Sequence, residues 1–227
     1  MKATLKQEFL NLPNMLTMAR ILVIPLVLVF VYFESRVNSF IAAALFAAAS
    51  ITDFFDGWLA RHRGQITVLG KFLDPLADKL ITMSTLVMLV PLGRIPAWVV
   101  VLLLARELSI TGLRSIASTE GMVIAAGQQG KWKTAFQLIG ILGLLVHYRY
   151  PIALVTPFLH DLVAGTWLHR LLSEAGIPLR PWVDFHVVGL WLICLSLFFS
   201  IFSAAQYIAA FVKELDRRDA LRKEGKA

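Results

Sequence analysis

The feature of this chain that most limits its fold is a series of long apolar stretches. A helix needs about 20 mostly apolar residues to cross the hydrocarbon core of a bilayer. Six stretches approach or exceed that length, at about 15–34, 38–60, 72–92, 95–117, 132–148 and 186–212. Because 58% of the residues are hydrophobic and 16% are charged, an ordinary soluble domain is excluded. The sequence predicts an all-α integral membrane protein with six transmembrane helices.

The distribution of basic residues predicts how these helices are oriented. An even number of crossings places both termini on one side, together with the loops near 61–71 and 114–133. Of the 22 Lys and Arg residues, five fall on the other side: Arg36, Arg94, Arg149, Arg170 and Arg180. Cytoplasmic loops carry an excess of Lys and Arg, so both termini are predicted to be cytoplasmic. The same reasoning explains the net charge of +7 without a nucleic-acid partner.

One segment, 150–183, departs from the pattern of apolar spans. Prolines and polar residues interrupt it, including Pro151, Pro157, His160 and Asp161. We expect an interfacial or re-entrant excursion on the outer side, between the last two helices. No internal repeat or linker is visible, so residues 1–227 are predicted to form a single membrane domain.

Four aspartates, Asp53, Asp56, Asp74 and Asp78, occur within 26 residues on or beside apolar segments. Ionisable groups in such segments are usually functional. Asp53 and Asp56 share a helical face with Gly57 and Ala60, and Asp74 and Asp78 share one with Gly70 and Ala77. If the second and third helices form a hairpin, the two faces meet. The alternative is that the acids form salt bridges with neighbouring basic residues: Arg61, Arg63, Lys71 and Lys79.

Four carboxylates at one point repel one another unless a cation neutralises them. Oxygen ligands suit Mg²⁺ or Mn²⁺, and two such ions can bind a pyrophosphate between them. The small residues on the same faces let a large ligand approach the backbone. Arg61, one turn beyond Asp56, offers a guanidinium to phosphate oxygens.

The complete pattern reads Asp53-x2-Asp56-Gly57-x2-Ala60-Arg61-x8-Gly70-x3-Asp74-x3-Asp78. It resembles the signature of the CDP-alcohol phosphatidyltransferase family, with no position missing. The resemblance implies a membrane enzyme with six transmembrane helices that binds two divalent ions and a CDP-linked lipid, and releases CMP. It also implies a homodimer.

Residue by residue, the resemblance assigns roles to the signature positions. Asp53, Asp56 and Asp74 resemble metal ligands, and Asp78 resembles a residue shared between metal binding and the role of general base. Four further positions resemble the contacts of the family with CDP: Gly57, Ala60, Arg61 and Gly70.

Three other stretches, at 11–20, 105–114 and 130–134, resemble the bacterial branch of the family that uses a glycerophosphate acceptor. The excursion at 150–183 departs from that branch, which usually joins its last two helices by a short connection. The resemblance implies that the protein lies in the bacterial inner membrane with its active site facing the cytoplasm.

Four basic residues are candidates for binding an acceptor phosphate. Arg106 and Arg114 are eight positions apart on one helical face, and Lys131 and Lys133 enter the next helix from the same side. A dianion such as glycerol 3-phosphate requires such cations, whereas an uncharged alcohol does not. Lys131 and Lys133 are equally explained as positive-inside anchors.

The first apolar helix carries further polar residues, Asn14, Thr17 and Arg20. Asn14 and Thr17 stand one turn apart and are predicted to contact the CDP group, with polar contacts between helices as the alternative. Arg20 either serves the same pocket or extends to the membrane surface.

The leading hypothesis is transfer of the phosphatidyl group of CDP-diacylglycerol to sn-glycerol 3-phosphate. One alternative keeps the chemistry but uses inositol phosphate or phosphatidylglycerol as acceptor. A different class, a divalent-cation transporter, would use the same acids for passage of ions. Surrounding membrane lipids are the remaining expected partners.

Overall fold

The computed structural model describes residues 12–63, 68–122, 129–151 and 182–223. These residues form six helices: α1 (Leu12–Tyr32), α2 (Arg36–Arg63), α3 (Val68–Leu89), α4 (Ala97–Thr119), α5 (Gln129–Val146) and α6 (Phe185–Lys223). Each helix overlaps one of the six apolar stretches, so the helical prediction is confirmed. Every helix contributes buried residues to a shared apolar core, among them Val27, Phe46, Leu86, Leu103, Ile141 and Ile193.

Two short strands are an addition that the all-α prediction missed. Strand β1 (Arg149–Pro151) pairs antiparallel with β2 (Trp182–Asp184), with Arg149 opposite Asp184 and Tyr150 opposite Val183. Tyr, Val and Trp favour extended structure, and the sheet joins the two ends of the predicted excursion. The rest of that excursion, 152–181, lies outside the described residues.

Two helices are long and apolar enough to cross a membrane when the described residues are searched. These spans are Asn14–Tyr32 in α1 and Phe185–Arg218 in α6. Large apolar side chains also lie on the outside of the bundle, such as Leu22 at 71% exposure and Trp191 at 74%. Large exposed apolar surface of this kind is typical of contact with lipid rather than water.

Helices α5 and α6 approach each other through glycines. A Cβ atom on Gly143 would lie 2.9 Å from the Cα of Gly189, and one on Gly189 would lie 2.8 Å from the backbone N of Leu144. Small residues allow this close approach between membrane helices. The contact fixes the position of α5 along the axis of α6.

Arg94, in the turn between α3 and α4, is almost completely buried. Its guanidinium donates to the carbonyl of Leu145 at 3.2 Å and lies 3.5 Å from the carbonyl of Leu144. A cation at a helix C-terminus satisfies carbonyls that have no partner within the helix. The Arg94 side chain therefore caps the C-terminus of α5.

Helix α4 ends in a Schellman motif. Gly121 has a φ of +63°, and its N–H donates to the carbonyl of Ser118, while the N–H of Met122 donates to the carbonyl of Ala117 at 2.7 Å. A positive φ favours glycine, and this pattern of bonds is a common helix terminus. The α4 terminus is thus defined by backbone hydrogen bonds.

Candidate active site

The predicted metal-binding acids lie on α2 and α3. The side chains of Asp53 on α2 and Asp78 on α3 are described by the structure. The backbones of both helices include the other signature residues, whose side chains lie outside the described part of the chain: Asp56, Gly57, Ala60, Arg61, Gly70 and Asp74.

Asp53 is paired with Arg20 of α1. The Arg20 side chain is buried, and its Nη1 donates to a carboxylate oxygen of Asp53, whose side chain is about one-third exposed. The Nε of Arg20 donates to the carbonyl of Ala49 at 3.2 Å. Arg20 therefore points into the site rather than to the membrane surface, and it holds the first signature acid in place.

Asn14 and Thr17 lie on the same buried face of α1 as Arg20. Their exposed fractions are 2% and 0%, against 2% for Arg20. Both side chains take part in polar or electrostatic contacts. Since α1 packs against both α2 and α3, this face is turned towards the two helices that carry the signature.

Asp78 on α3 is within electrostatic range of residues on four other helices. It interacts electrostatically with Asp53 and Arg20 on one side, and with Glu107 and Lys133 on the other. It also lines a cavity of about 50 Å³ between α3, α4 and α5. Polar side chains line one part of this cavity: Asp78, Lys79, Thr82, Glu107, Lys133, Thr134 and Gln137.

Glu107 on α4 pairs with two of the predicted phosphate-binding cations. One carboxylate oxygen accepts from Arg106 Nη1 at 3.2 Å and also from the Nζ of Lys133. Lys133 is buried, with 7% of its surface exposed, and the Arg106 side chain is 13% exposed. A buried cation needs an anionic partner, and Glu107 is the carboxylate that contacts both of these cations.

The other two predicted phosphate-binding residues have different surroundings. Arg114 lies two turns further along α4, where its guanidinium carbon is 5.6 Å from the centre of the Tyr207 ring. It is exposed but interacts electrostatically with Arg106. Lys131 is exposed at the start of α5. The structure therefore brings Arg106 and Lys133 together, with Arg114 and Lys131 further out.

Two residues of this site were not among the predicted site residues. Glu107 is an acid within an apolar stretch, which is the same signal that identified the four aspartates. Lys79 follows Asp78 directly, contacts the Thr111 hydroxyl through its Nζ and interacts electrostatically with Glu107. Its position next to Asp78 was visible in the sequence, but its contact with α4 depends on packing.

The donor set suits a hard divalent cation. Asp53 and Asp78 supply carboxylate oxygens from two helices, and these acids are close enough to interact electrostatically. Mg²⁺ and Mn²⁺ prefer such oxygen ligands. The residues present therefore fit the metal that the signature implies.

Comparison with known proteins gives a match to a family model described as CDP-alcohol phosphatidyltransferase, over residues 10–171. The match ends before α6 begins at Phe185.

Named relatives are also similar to this chain. The CDP-diacylglycerol–glycerol-3-phosphate 3-phosphatidyltransferase of Bacillus subtilis is 42% identical over 161 residues, covering 65% of this chain and 83% of the relative. A probable phosphatidylglycerophosphate synthase of Mycobacterium tuberculosis (strain H37Rv) is 38% identical over 177 residues, covering 73% and 84% respectively. A CDP-diacylglycerol–glycerol-3-phosphate 3-phosphatidyltransferase of Haemophilus influenzae is 36% identical over 144 residues, covering 61% and 77%.

Proposed function

Because this chain belongs to the CDP-alcohol phosphatidyltransferase family, we propose that it makes phosphatidylglycerophosphate from CDP-diacylglycerol and sn-glycerol 3-phosphate, with release of CMP. The observation that carries this proposal is the position of Asp78. It interacts electrostatically with both members of the Arg20–Asp53 pair of the signature region, and with both members of the Glu107–Lys133 pair of the basic region. A donor and an acceptor bound in these two regions would meet at one carboxylate.

The donor half of the site lies around α1, α2 and α3. Asp53, held by Arg20, is the described member of the signature acids on α2, and Asn14 and Thr17 lie on the α1 face that packs against these helices. We assign the CDP group to this region, with Gly57, Ala60, Arg61 and Gly70 as further contacts. The described geometry supports the assignment because polar side chains of α1 are buried there rather than facing lipid.

Divalent ions would be held by Asp53, Asp56, Asp74 and Asp78. When bound, they would neutralise the charge on the pyrophosphate and favour departure of CMP. The chain itself supplies the ligands and, through Arg20, fixes the direction of one of them.

We assign the role of general base to Asp78. The acceptor hydroxyl gives its proton to the Asp78 carboxylate while its oxygen forms a bond to the phosphorus of the phosphatidyl group. The bond between that phosphorus and the CMP oxygen breaks, and CMP leaves with the electron pair. A carboxylate that lines the cavity and faces both halves of the site can perform this step.

The acceptor half of the site lies on α4 and α5. Arg106 and Lys133 would bind the phosphate of glycerol 3-phosphate, with Arg114 and Lys131 contributing to the field around it. Phosphate oxygens would take over contacts that the Glu107 carboxylate now makes with these cations. Lys79 adds a positive charge to the same cavity.

We propose that all six helices cross the bacterial inner membrane, with both termini and the active site on the cytoplasmic side. The two apolar spans, the apolar side chains on the outside of the bundle and the distribution of Lys and Arg support this topology. We further propose that the enzyme is a homodimer in the membrane, as its family resemblance implies. Labelling of single cysteines from either side of sealed vesicles tests the topology, and crosslinking in the membrane tests the dimer.

Purified protein with CDP-diacylglycerol, Mn²⁺ or Mg²⁺ and one acceptor at a time tests the reaction. We expect CMP release with glycerol 3-phosphate and a lipid product that carries a second phosphate. Release with inositol phosphate or phosphatidylglycerol, but not with glycerol 3-phosphate, would show that the proposed acceptor is wrong. The alternative of a cation transporter loses its support, since the named relatives are transferases.

A further inference from the structure

One face of α6 contacts the elements that carry the predicted phosphate-binding residues. The Ser196 hydroxyl donates to the backbone carbonyl of Lys133 at 3.0 Å. The carbonyl of Ser200 accepts from Arg106 Nε at 2.8 Å. Further along, the Tyr207 ring lies beneath the guanidinium of Arg114.

The same face reaches the end of α4. Arg218 donates from Nη1 to the carbonyl of Glu120 at 2.6 Å and from Nη2 to that of Gly121 at 3.1 Å. These carbonyls belong to the Schellman terminus of α4. Glu214, one turn earlier on α6, accepts from Arg218 Nε at 3.3 Å and so orients the guanidinium.

The spacing of these contacts is regular. The successive spacings between Ser196, Ser200, Tyr207 and Arg218 are four, seven and eleven residues. At about 3.6 residues per turn these are close to one, two and three helical turns, so the four residues share one face of α6. We call these four residues the α6 contact face. They span about 33 Å at 1.5 Å per residue. Ser196, Ser200 and Tyr207 are buried, so most of this face is turned into the protein.

We propose that the α6 contact face is a positioning surface for the acceptor, because it sets the places of Arg106, Arg114 and Lys133 and of the α4 terminus. The proposal rests on the function proposed above, and it adds a role for a helix that lies outside the matched family region. Tyr207 and Arg218 are positioning residues that act through others, and they need not touch either substrate.

The physical reason is the length and freedom of the cationic side chains. An arginine on a helix surface samples many rotamers, and ordering it on binding costs free energy. A ring beneath the guanidinium of Arg114 and a fixed α4 terminus remove part of that freedom before the acceptor arrives. Loss of this order should weaken acceptor binding while leaving the donor site, which lies around α1 to α3, unchanged.

Steady-state kinetics on the full chain tests the proposal. Tyr207→Leu should raise the KM for glycerol 3-phosphate about two- to fivefold, the effect of losing a cation–π contact whose guanidinium is exposed to solvent. Arg218→Gln should raise it about three- to tenfold, because two hydrogen bonds from a charged donor are lost at a solvent-exposed position. The KM for CDP-diacylglycerol and kcat should stay within about twofold of wild type.

Matched controls separate positioning from a general effect. Tyr207→Phe keeps the ring and should retain the wild-type KM. Arg217→Gln removes the same charge from the adjacent residue, which pairs with Glu214 but is not bonded to the α4 terminus in the hydrogen bonds described. Equal effects of Arg217→Gln and Arg218→Gln, or equal rises in KM for both substrates, would overturn the proposal.

Amide hydrogen exchange provides a test that does not require turnover. Arg218→Gln should speed exchange in the last turn of α4, around Ala117–Thr119, relative to Arg217→Gln. Unchanged exchange there would show that Arg218 does not hold the α4 terminus. Turnover of the wild type with glycerol 3-phosphate tests the proposed function by itself, so the two failures are distinguishable.

Discussion

Arg20 on α1 and Asp53 on α2, which lie 33 residues apart in the sequence, form an ion pair between a buried guanidinium and a partly exposed carboxylate. The arginine is enclosed by protein, whereas the aspartate remains partly open to the site. Arg20 thereby fixes the orientation of Asp53, which is proposed as a metal ligand. The pair joins the helix that carries Asn14 and Thr17 to the first signature acid.

Arg20→Gln should destabilise the folded protein. The substitution leaves the carboxylate of Asp53 without its charged partner and weakens the contact with the carbonyl of Ala49. We expect a loss of about 1–3 kcal/mol in the free energy of unfolding. Thermal melting in detergent measures it, and Arg217→Gln, a substitution at an exposed residue, should lower the melting temperature much less. Equal melting of the two variants would contradict a structural role for Arg20.

Activity should depend on a divalent cation and on Asp53. A chelator should abolish CMP release, and Mn²⁺ or Mg²⁺ should restore it. Asp53→Asn should raise the Mn²⁺ concentration for half-maximal activity at least about tenfold, because a ligand oxygen loses its charge. Asp216→Asn, in the exposed part of α6, serves as the control. Turnover that survives complete chelation would refute the metal assignment.

Asp78→Asn should remove turnover while donor binding persists. Loss of a general base lowers kcat by about 10²- to 10⁴-fold, and the asparagine cannot take the proton from the acceptor. Asp184→Asn is a matched control, because Asp184 caps the start of α6 and asparagine caps helices equally well. Rapid-quench kinetics and binding of CDP-diacylglycerol measure the two effects. An active Asp78→Asn enzyme would exclude this residue as the base.

Glu107→Gln should make the protein more dependent on the acceptor for stability. The variant removes the carboxylate that is paired directly with buried Lys133, so it should melt at a lower temperature than the wild type when no substrate is present. Glycerol 3-phosphate supplies the missing anion, and its stabilising effect should be larger in the variant. Thermal melting with and without the acceptor measures this. An equal shift in both proteins would show that the acceptor phosphate does not replace Glu107.

Lys133 and Lys131 should differ in their effect on the acceptor. Lys133 is buried beside Glu107, whereas Lys131 is exposed, where water and salt weaken its interactions. Lys133→Gln should raise the KM for glycerol 3-phosphate about tenfold or more, the cost of losing a charged hydrogen bond. Lys131→Gln should raise it less than about fivefold. The reverse order would place the phosphate nearer the start of α5.

The sequence was sufficient to predict the helices and the faces that carry the polar residues. Apolar length defined six stretches, and helical periodicity placed Asp53 and Asp78 on faces that could meet. The structure brings these two acids within electrostatic range. Which helix faces which other helix was not readable, because periodicity describes each helix separately.

The pairing of Arg20 with Asp53 illustrates what was missing. Both residues were visible as ionisable groups, but their contact depends on how α1 packs against α2. The sequence suggested that Glu107 neutralises one of the nearby cations, but which cation it pairs with was not readable, since Lys133 lies 26 residues away on another helix. The strands at 149–151 and 182–184 were missed because three-residue segments carry too little pattern.

The glycine contact between α5 and α6 lies far along these helices from the proposed acceptor site, but it determines how the two helices are aligned there. Neither Gly143 nor Gly189 has room for a methyl group, so the two backbones have one permitted offset. Lys133 stands on α5 about 15 Å from Gly143 at 1.5 Å per residue, and Ser200 stands on α6 a similar distance from Gly189. A substitution that adds bulk at either glycine would displace α5 relative to α6, and with it Lys133 relative to Ser200. Positions outside the proposed substrate sites are therefore expected to affect activity through the alignment of these two helices.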